Sequence, residues 1–376
     1  MRRHLTVLAI ATLGLAGCGG SASTINGCVA ASCGVMPPSA SQPATTSRAL
    51  IVVADTIPGP GGNAAPTTVK LIHPDGTVAN SLNVKAGVEL LRAAGSRIFI
   101  KEPGALKAIH ADGSVEDLGP IDDQIFGFAA SPDGSRWMWG TIDSNNQGQV
   151  HVAGTGIAPR VVAQSHQDAV SIQPFSWTPV APFLVHAKVG IGGYILFSPA
   201  NGPVEKLDST SLTPTAMPQT DRCAFSDMAR DGTIACFSGT GQQSRGLNLI
   251  AADGKTTTIQ LAVPRFAQDG DAYFSPDGKQ VTVAGAESVG NAEPAQPERY
   301  GTDLILVKDA SIQRLTLDGV RLAPYLQAQS WLDDGSLVVW RPDKAAGGPP
   351  GIFVVSPSGA ARQISQGGFA VGVLTR

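Results

Sequence analysis

Six polar residues at matching places along the 376-residue chain have the side chains needed to hold a cation or a polar ligand. Carboxylate and amide oxygens coordinate metal ions, and a guanidinium pairs with anions. The six are Gln173, Asp221, Arg222, Asp269, Asp271 and Gln327. Each falls at or just before the start of a predicted strand, so they form a site only if the fold brings those strand starts together. Otherwise they are ordinary solvated side chains.

The N-terminal segment predicts export and lipid attachment. Arginines at positions 2 and 3 precede an apolar stretch at 5–17, which suits a signal-peptide core and is too short to span a bilayer. The stretch ends in LAGC, which resembles a bacterial lipobox. That resemblance implies that the thiol of Cys18 carries a diacylglycerol. An ordinary signal peptide with an incidental cysteine is the alternative.

These features divide the chain into three parts. We predict a lipoprotein signal peptide at 1–17, a disordered tether at 18–48 that is rich in Ser, Ala, Thr, Gly and Pro, and a folded body at 49–376. The protein is then extracytoplasmic and anchored to a membrane of the bacterial cell envelope by acyl chains such as palmitate.

The four remaining cysteines form two locally spaced pairs. Cys28 with Cys33 and Cys223 with Cys236 are candidate disulfides, which an oxidising compartment permits. For the first pair, two free thiols or a metal pair is the alternative. Cys223 and Cys236 lie on adjacent predicted strands, so they could face each other across a hairpin.

Composition and the lack of catalytic motifs narrow the function classes. A net charge of −3 disfavours a nucleic-acid partner, which needs a concentrated basic surface, and 43% hydrophobic residues is too many for a disordered chain. The sequence contains no Gly-x-Ser-x-Gly elbow, His-Glu-x-x-His or Walker A motif. It therefore favours a non-enzyme, and we expect no cofactor and no resident metal.

The main structural signal is a repeat of about 45 residues, the range of propeller repeats. Aligned on a serine after a short apolar run, copies occur 45, 50, 49 and 55 residues apart, at Ser131, Ser176, Ser226, Ser275 and Ser330. A second series of turn signals falls near residues 75, 112, 155, 201, 253, 309 and 358. Each unit thus has four short antiparallel strands, A to D, which is typical of a β-propeller blade.

Seven C-to-D turns predict an all-β protein, a seven-bladed propeller of four-stranded antiparallel blades, with six or eight blades as alternatives. The first unit begins with strand B at 49–54 and has no strand A before it. We predict that the apolar segment 369–374 supplies that strand and closes the ring. The five tryptophans are expected to pack between blades; they are Trp137, Trp139, Trp177, Trp331 and Trp340.

The turns also carry a family resemblance. The stretch FSPDGK at 274–279 and SPDG at 131–134 resemble the PD40, TolB-like repeat of bacterial envelope propellers, which is WD40-like. Only two of the seven units have the full Ser-Pro-Asp-Gly. The resemblance implies a propeller with protein-binding roles. TolB has six blades and an added α/β domain, which this sequence does not show.

Antiparallel blades place the A-to-B and C-to-D turns on one rim, the tight-turn rim, and the other connections on the opposite, long-loop rim. The long segments are 141–149, 208–220, 239–246, 286–300 and 341–350. We predict a binding or scaffolding module, monomeric, that holds an envelope protein, peptide or glycan on the long-loop rim. Surface insertions without a role are the plain alternative.

A second hypothesis is a metal-dependent hydrolase or lyase. In it Asp221, Asp269 and Asp271 surround a cation in the central channel.

Overall fold

The computed structural model describes most of the predicted folded body. The described residues are 49–55, 67–84, 89–143, 147–165, 170–188, 200–221, 223–238, 246–261, 266–287, 301–309, 311–317, 320–321, 327–341 and 351–375. Cys18, Cys28 and Cys33, with the predicted signal peptide and tether, lie outside them. No helix in the described ranges is long and apolar enough to cross a bilayer.

Local turn chemistry sets where the strands end. At the Ser-Pro-Asp-Gly turn, the N–H of Gly278 donates to the carbonyl of Ser275 at 2.8 Å, and the Asp277 carboxylate accepts the N–H of Lys279 at 3.1 Å. Gly278 has a φ of +70°, which only glycine adopts readily. The Ser275 hydroxyl also donates to Asp277 at 2.7 Å. These bonds stay within six residues, so the sequence alone specifies them.

The described strands form seven antiparallel sheets, the blades. The first four blades, each given from the innermost strand outward, are β30 (Phe369–Leu374), β1 (Leu50–Ala54), β2 (Thr67–Ile72) and β3 (Val78–Val84); β4 (Glu89–Ala94), β5 (Arg97–Glu102), β6 (Ala105–His110) and β7 (Val115–Pro120); β8 (Phe126–Ala130), β9 (Arg136–Ile142), β10 (Gly148–Gly154) and β11 (Ile157–Gln164); β12 (Val170–Trp177), β13 (Pro182–Lys188), β15 (Val204–Leu207) and β16 (Pro214–Ala216).

The last three blades follow the same plan, and two of them gain a two-residue strand. They are β17 (Cys223–Met228), β18 (Ile234–Ser238), β19 (Gly246–Ile250) and β20 (Thr256–Gln260), with β14 (Ala200–Asn201) beside β17; β21 (Phe266–Phe274), β22 (Gln280–Glu287), β23 (Gly301–Lys308) and β24 (Ser311–Leu317), with β25 (Val320–Arg321) beside β24; β26 (Gln327–Trp331), β27 (Leu337–Arg341), β28 (Gly351–Val355) and β29 (Ala361–Ser365).

The predicted closure of the ring is confirmed. Strand β30 pairs antiparallel with β1, with Leu374 opposite Leu50 and Ala370 opposite Val53. Strand β30 also contacts β4 of blade two and β26 of blade seven, so the ends of the chain complete one ring of seven blades. Pairing both edges of β1 removes an exposed apolar edge, which is a liability in open sheets.

The core lies between neighbouring blades. The five residues of β1 are all buried, and its alternating side chains pack in opposite directions. Ile51 packs with Val338 and Ile352 of blade seven, whereas Val52 packs with Ile98 of blade two. Both faces of a blade are thus covered, which explains the continuous apolar runs of the inner strands.

The predicted C-to-D turn of blade four is wrong. The sequence placed it at Asn201, but β14, which contains Asn201, pairs with β17 of blade five. The true C and D strands are β15 and β16, joined by 208–213. Asp208 specifies this turn, since its carboxylate accepts the N–H groups of Thr210 at 2.9 Å and Ser211 at 2.7 Å. Residues 208–213 therefore lie on the tight-turn rim, and the predicted strand at 195–197 lies outside the described residues.

Candidate functional site

The structure gives only a partial view of the predicted channel mouth. Gln173 is half-buried in β12, and Asp221 is exposed just before β17. Asp269, Asp271 and Gln327 lie on strands β21 and β26, but their side chains are outside the described residues, as is all of Arg222. Among the described side chains, no three His, Cys, Asp or Glu groups are placed to share a metal ion. Most of the predicted long-loop rim also lies outside the described residues, at 144–146, 239–245, 288–300 and 342–350, whereas its segment 208–220 is described.

The second predicted disulfide pair is joined covalently. Cys223 of β17 and Cys236 of β18 form a disulfide, with their Cα atoms 5.3 Å apart. They are not directly opposite, because Cys223 pairs with Ser238 and Phe225 pairs with Cys236. Both are buried in the core between blades four and five, together with Phe183 and Val204. The bond therefore links the inner two strands of blade five.

A cavity of about 530 Å³ lies where the innermost strands run into their A-to-B turns. We call it the hub cavity. All seven blades contribute to its lining, for example Arg92 from β4, Phe128 from β8 and Asp227 from β17. It opens at the tight-turn rim, since residues of three A-to-B turns also line it, including Arg230, Pro276 and Asp333. This is the opposite end of the inner strands from the predicted channel mouth.

A repeated backbone irregularity builds the hub cavity. Each of the seven innermost strands has a β-bulge against its neighbour, for example between Leu90 and Arg92 in β4 and between Phe225 and Asp227 in β17. A bulge inserts one residue, so the alternation of side chains is broken and the next residue is re-aimed. The residue that follows the bulge lines the cavity in every blade: Gly372, Arg92, Phe128, Ser176, Asp227, Tyr273 and Ser330. We call these seven residues the hub ring.

Asp227 is the hub-ring carboxylate. Its Oδ2 accepts the backbone N–H of Phe274 at 2.8 Å, which connects blade five to blade six. Burial raises the pKa of Asp227 to about 6, and this effect outweighs the hydrogen bonds from the N–H groups of Phe274 and Met228 and the positive charge of Arg92, all of which lower it. The side chain keeps partial access to the cavity. A ligand can therefore reach a carboxylate that is poorly hydrated.

Arg92 is the hub-ring cation. It is exposed, and within the described part of the chain no carboxylate lies within ion-pairing distance of its guanidinium. A second basic group at the cavity mouth, Arg230, is in contrast paired with Asp333 at 3.3 Å. That pair is well exposed, so it adds little to stability. It joins the A-to-B turns of blades five and seven and neutralises both charges.

Five aromatic side chains contribute to the wall of the hub cavity, whose exposed surface is mostly polar. The indole Nε1 of Trp331 donates to the carbonyl of Tyr273 at 3.1 Å, which fixes the ring against blade six. Phe128 packs on Phe99 of β5, with ring centroids 5.3 Å apart. The remaining aromatic lining residues are Phe175 and Phe274. These rings give a mainly polar cavity a few rigid apolar faces.

The tryptophans divide into packing and lining residues. Trp137 and Trp139 are almost fully buried, in line with the expected role between blades. Trp139 stacks on His151 at 5.2 Å and donates its Nε1 to Asp122 at 2.8 Å. Trp331 is different, because it borders the hub cavity. Sequence reasoning missed this second role.

Sequence reasoning also missed the hub ring, and the serine alignment shows why. Ser131 and Ser275 open A-to-B turns, whereas Ser176 and Ser330 lie within the inner strands, at the hub-ring position. The alignment therefore combined two structural positions. The spacing of the serines therefore carried no usable signal of the bulge, which occurs in every inner strand.

No protein-family model and no curated protein matches the sequence. Among solved structures, the fold is similar to acylaminoacyl peptidase in complex with Z-Gly-Gly-Phe-chloromethyl ketone, with a TM-score of 0.55 and 12% identity over 87% of this chain and 52% of that one. The Pyrococcus horikoshii acylaminoacyl peptidase gives 0.54 and 13% over 86% and 52%. TolB from Acinetobacter baumannii gives 0.45 and 11% over 83% and 79%.

This chain thus spans about half the length of each peptidase. Identities this low show the fold alone. The propeller fold that the TolB-like resemblance implied is confirmed.

Proposed function

We propose that this chain is a binding module whose ligand occupies the hub cavity from the tight-turn rim. The observation that carries the proposal is the hub ring. Seven bulges bring seven residues, six of which have side chains, to one cavity of about 530 Å³, within the usual size range of small-molecule pockets. A ring that needed only to pack would gain nothing from an exposed arginine and a poorly hydrated carboxylate at its centre.

The proposal moves the binding site from the long-loop rim to the opposite one. The partner remains an envelope protein, peptide or glycan, held by a monomeric propeller. A protein or glycan would insert a small group into the hub cavity and rest on the surrounding A-to-B turns. Binding groups on a rigid scaffold lose little conformational entropy when the ligand binds. The inner strands provide such a scaffold for the hub cavity.

We also propose that the module acts in the bacterial cell envelope, tethered by lipid on Cys18. The apolar stretch at 5–17 and the lipobox-like LAGC support this. A Cys18→Ala variant should lose incorporation of labelled palmitate and leave the membrane fraction, whereas a Cys28→Ala variant should keep both. Palmitate labelling that survives Cys18→Ala would contradict the anchor.

Site-specific photocrosslinking in intact cells tests the hub cavity. A photoreactive phenylalanine analogue replaces Ser176, in the hub ring, or Thr257, which is exposed on outer strand β20. We expect a discrete adduct from position 176 and none from 257. A bulky Tyr273→Trp substitution in the same ring should reduce the adduct. Equal adducts at the two positions, or none at 176, would contradict the proposed site.

A further inference from the structure

The hub ring contains two opposite charges, and they belong to blades that are not neighbours. Arg92 belongs to blade two and Asp227 to blade five, so two blades separate them on one side of the ring and three on the other. Both lie at the same structural position, directly after a bulge. In the part of the chain that the structure describes, neither side chain has an ion-pair partner. The hub cavity is therefore dipolar.

The other charges at the hub do not cancel this dipole. Arg230 and Asp333 neutralise each other at the mouth, 3.3 Å apart. The oxygens of Asp227 are met by the backbone N–H of Phe274 at 2.8 Å, which carries no full charge. The remaining hub-ring residues are uncharged. A ligand inside the cavity thus meets one cation and one carboxylate.

Each of these two groups binds a particular type of charged ligand group. A guanidinium binds a carboxylate through two parallel hydrogen bonds, and a poorly hydrated carboxylate binds an ammonium. The same cavity is also lined by Tyr273 and Trp331, and the faces of such rings attract cations. The hydroxyls of Ser176 and Ser330 are available to bind peptide amide groups.

We propose that the hub cavity binds a zwitterion, a free amino acid or a short peptide, with its carboxylate on Arg92 and its ammonium on Asp227. This rests on the proposed function, because it takes the hub cavity as the binding site. A neutral glycan would leave both charges unpaired and desolvated, which is costly. A ligand with only one charge would leave one of these two groups unpaired.

Calorimetric titration of the purified full chain at pH 7.5 tests the proposal. The probes are the tripeptide Ala-Phe-Ala with free ends, its N-acetyl form, its C-terminal amide and free phenylalanine. We expect the tripeptide or phenylalanine to bind, and either block to weaken tripeptide binding at least tenfold. If phenylalanine binds as well as the tripeptide, the ligand is an amino acid; if only the tripeptide binds, it is a peptide.

Variants assign each end of the ligand. Asp227→Asn should weaken the free-ended tripeptide about tenfold and leave the N-acetyl form unchanged, whereas Arg92→Gln should leave the C-terminal amide unchanged. Asp309→Asn and Arg362→Gln are the matched controls, since both residues are exposed and outside the cavity. At Asp309 the φ of +48° suits asparagine.

Two results would overturn the zwitterion. One is equal affinity for free and blocked tripeptides, which would show that the terminal charges of the ligand do not contribute to binding in the hub cavity. The other is no binding of any probe. In either case the photocrosslink from position 176 still decides the proposed function, because it does not depend on ligand charge.

Discussion

The aspartates of the tight turns and the aspartate of the hub cavity have pKa values that are shifted in opposite directions. The turn aspartates have pKa values below the usual range, because hydroxyls and N–H groups within three residues donate hydrogen bonds to them. They are Asp75, Asp112, Asp133, Asp208 and Asp277. Asp227 has a raised pKa of about 6, because burial at the hub outweighs its own hydrogen bonds.

The difference separates local from assembled structure. A turn aspartate is stabilised by neighbours in sequence, so its environment forms whenever the turn forms. The environment of Asp227 needs Phe274 from blade six and the charge of Arg92 from blade two. Its burial therefore depends on closure of the ring. Changes at the hub and at the turns should consequently differ in size and in the sign of their pH dependence.

Opening the ring should have the largest effect. Removal of residues 367–376 deletes β30 and exposes the apolar strand β1, while the local bonds of every A-to-B turn remain. We expect a loss of more than about 5 kcal/mol, comparable to the whole stability of a typical domain. Thermal melting by circular dichroism measures it. A truncated protein that still melts cooperatively at the same temperature would show that the closure is dispensable.

A point variant provides the matched control for the deletion. Ala370→Asp places a charge at a buried position of β30 and should also destabilise the ring, whereas Arg362→Asp, at an exposed position of β29, should not.

Loss of the disulfide should rank second. The bond closes a short loop between Cys223 and Cys236, 13 residues apart, and both sulfurs are buried. The double Cys→Ala variant should lose about 3 kcal/mol in the free energy of unfolding, measured with guanidinium chloride. Wild-type protein under reducing conditions should match it once the bond is broken. Identical midpoints for oxidised wild type and variant would rule out a stabilising role.

Asp227→Asn should change the free energy of unfolding by a smaller amount, and the variant should gain stability relative to wild type as pH rises. The raised pKa means that folded protein binds more protons than unfolded protein between about pH 4 and 6, so stability from this group is lost as pH rises through about 6. Asparagine has no such loss. Relative to wild type, the variant should gain about 2 kcal/mol between pH 4 and pH 7, since partial access to the cavity limits the cost of burial.

Urea denaturation at the two pH values measures this difference. Arg92 is the only charged side chain that shifts the pKa of Asp227 among the described residues. An Arg92→Gln variant should therefore raise that pKa further and steepen the pH dependence.

Replacing a turn aspartate should cause the smallest change in stability, and here the variant should lose stability relative to wild type as pH rises. The Asp133 carboxylate accepts the N–H of Ser135 at 3.0 Å and the Ser135 hydroxyl at 2.8 Å. Asp133→Ala should cost about 1 kcal/mol at pH 7, as expected for lost hydrogen bonds near the surface. Because the pKa of Asp133 is lowered, its contribution fades as pH falls, so the cost should shrink at pH 3. A cost that grows at low pH would contradict the contrast with Asp227.

The fold was predictable because the same turn and strand signals recur along the sequence. Tight turns such as Ser275 to Gly278 specify strand ends locally, and seven copies of one unit with a spare apolar strand at 369–374 imply a closed ring. The error in blade four has a local cause. The Asn201-Gly202 signal looked like a hairpin turn, whereas the buried Leu212 and the hydrogen bonds to Asp208 mark the real one.

The hub cavity was not predictable in the same way. A bulge is one extra residue that lies opposite no partner, and it has no reliable sequence signature. Arg92 and Asp227 also stand 135 residues apart in the sequence. Nothing in the spacing indicates that both follow a bulge and meet at one cavity.

The sequence by itself determined the blade unit, the turns of every blade except the fourth and the identity of the closing strand, because hydrogen bonds within six residues and alternating apolar side chains encode them. Only the tertiary structure decided which end of the ring holds the cavity and which residues surround it. The reason is that a strand's register against its neighbour, shifted by a bulge in every blade, fixes where each side chain points. Burial of Asp227 then follows from the closed ring and not from its neighbours in sequence.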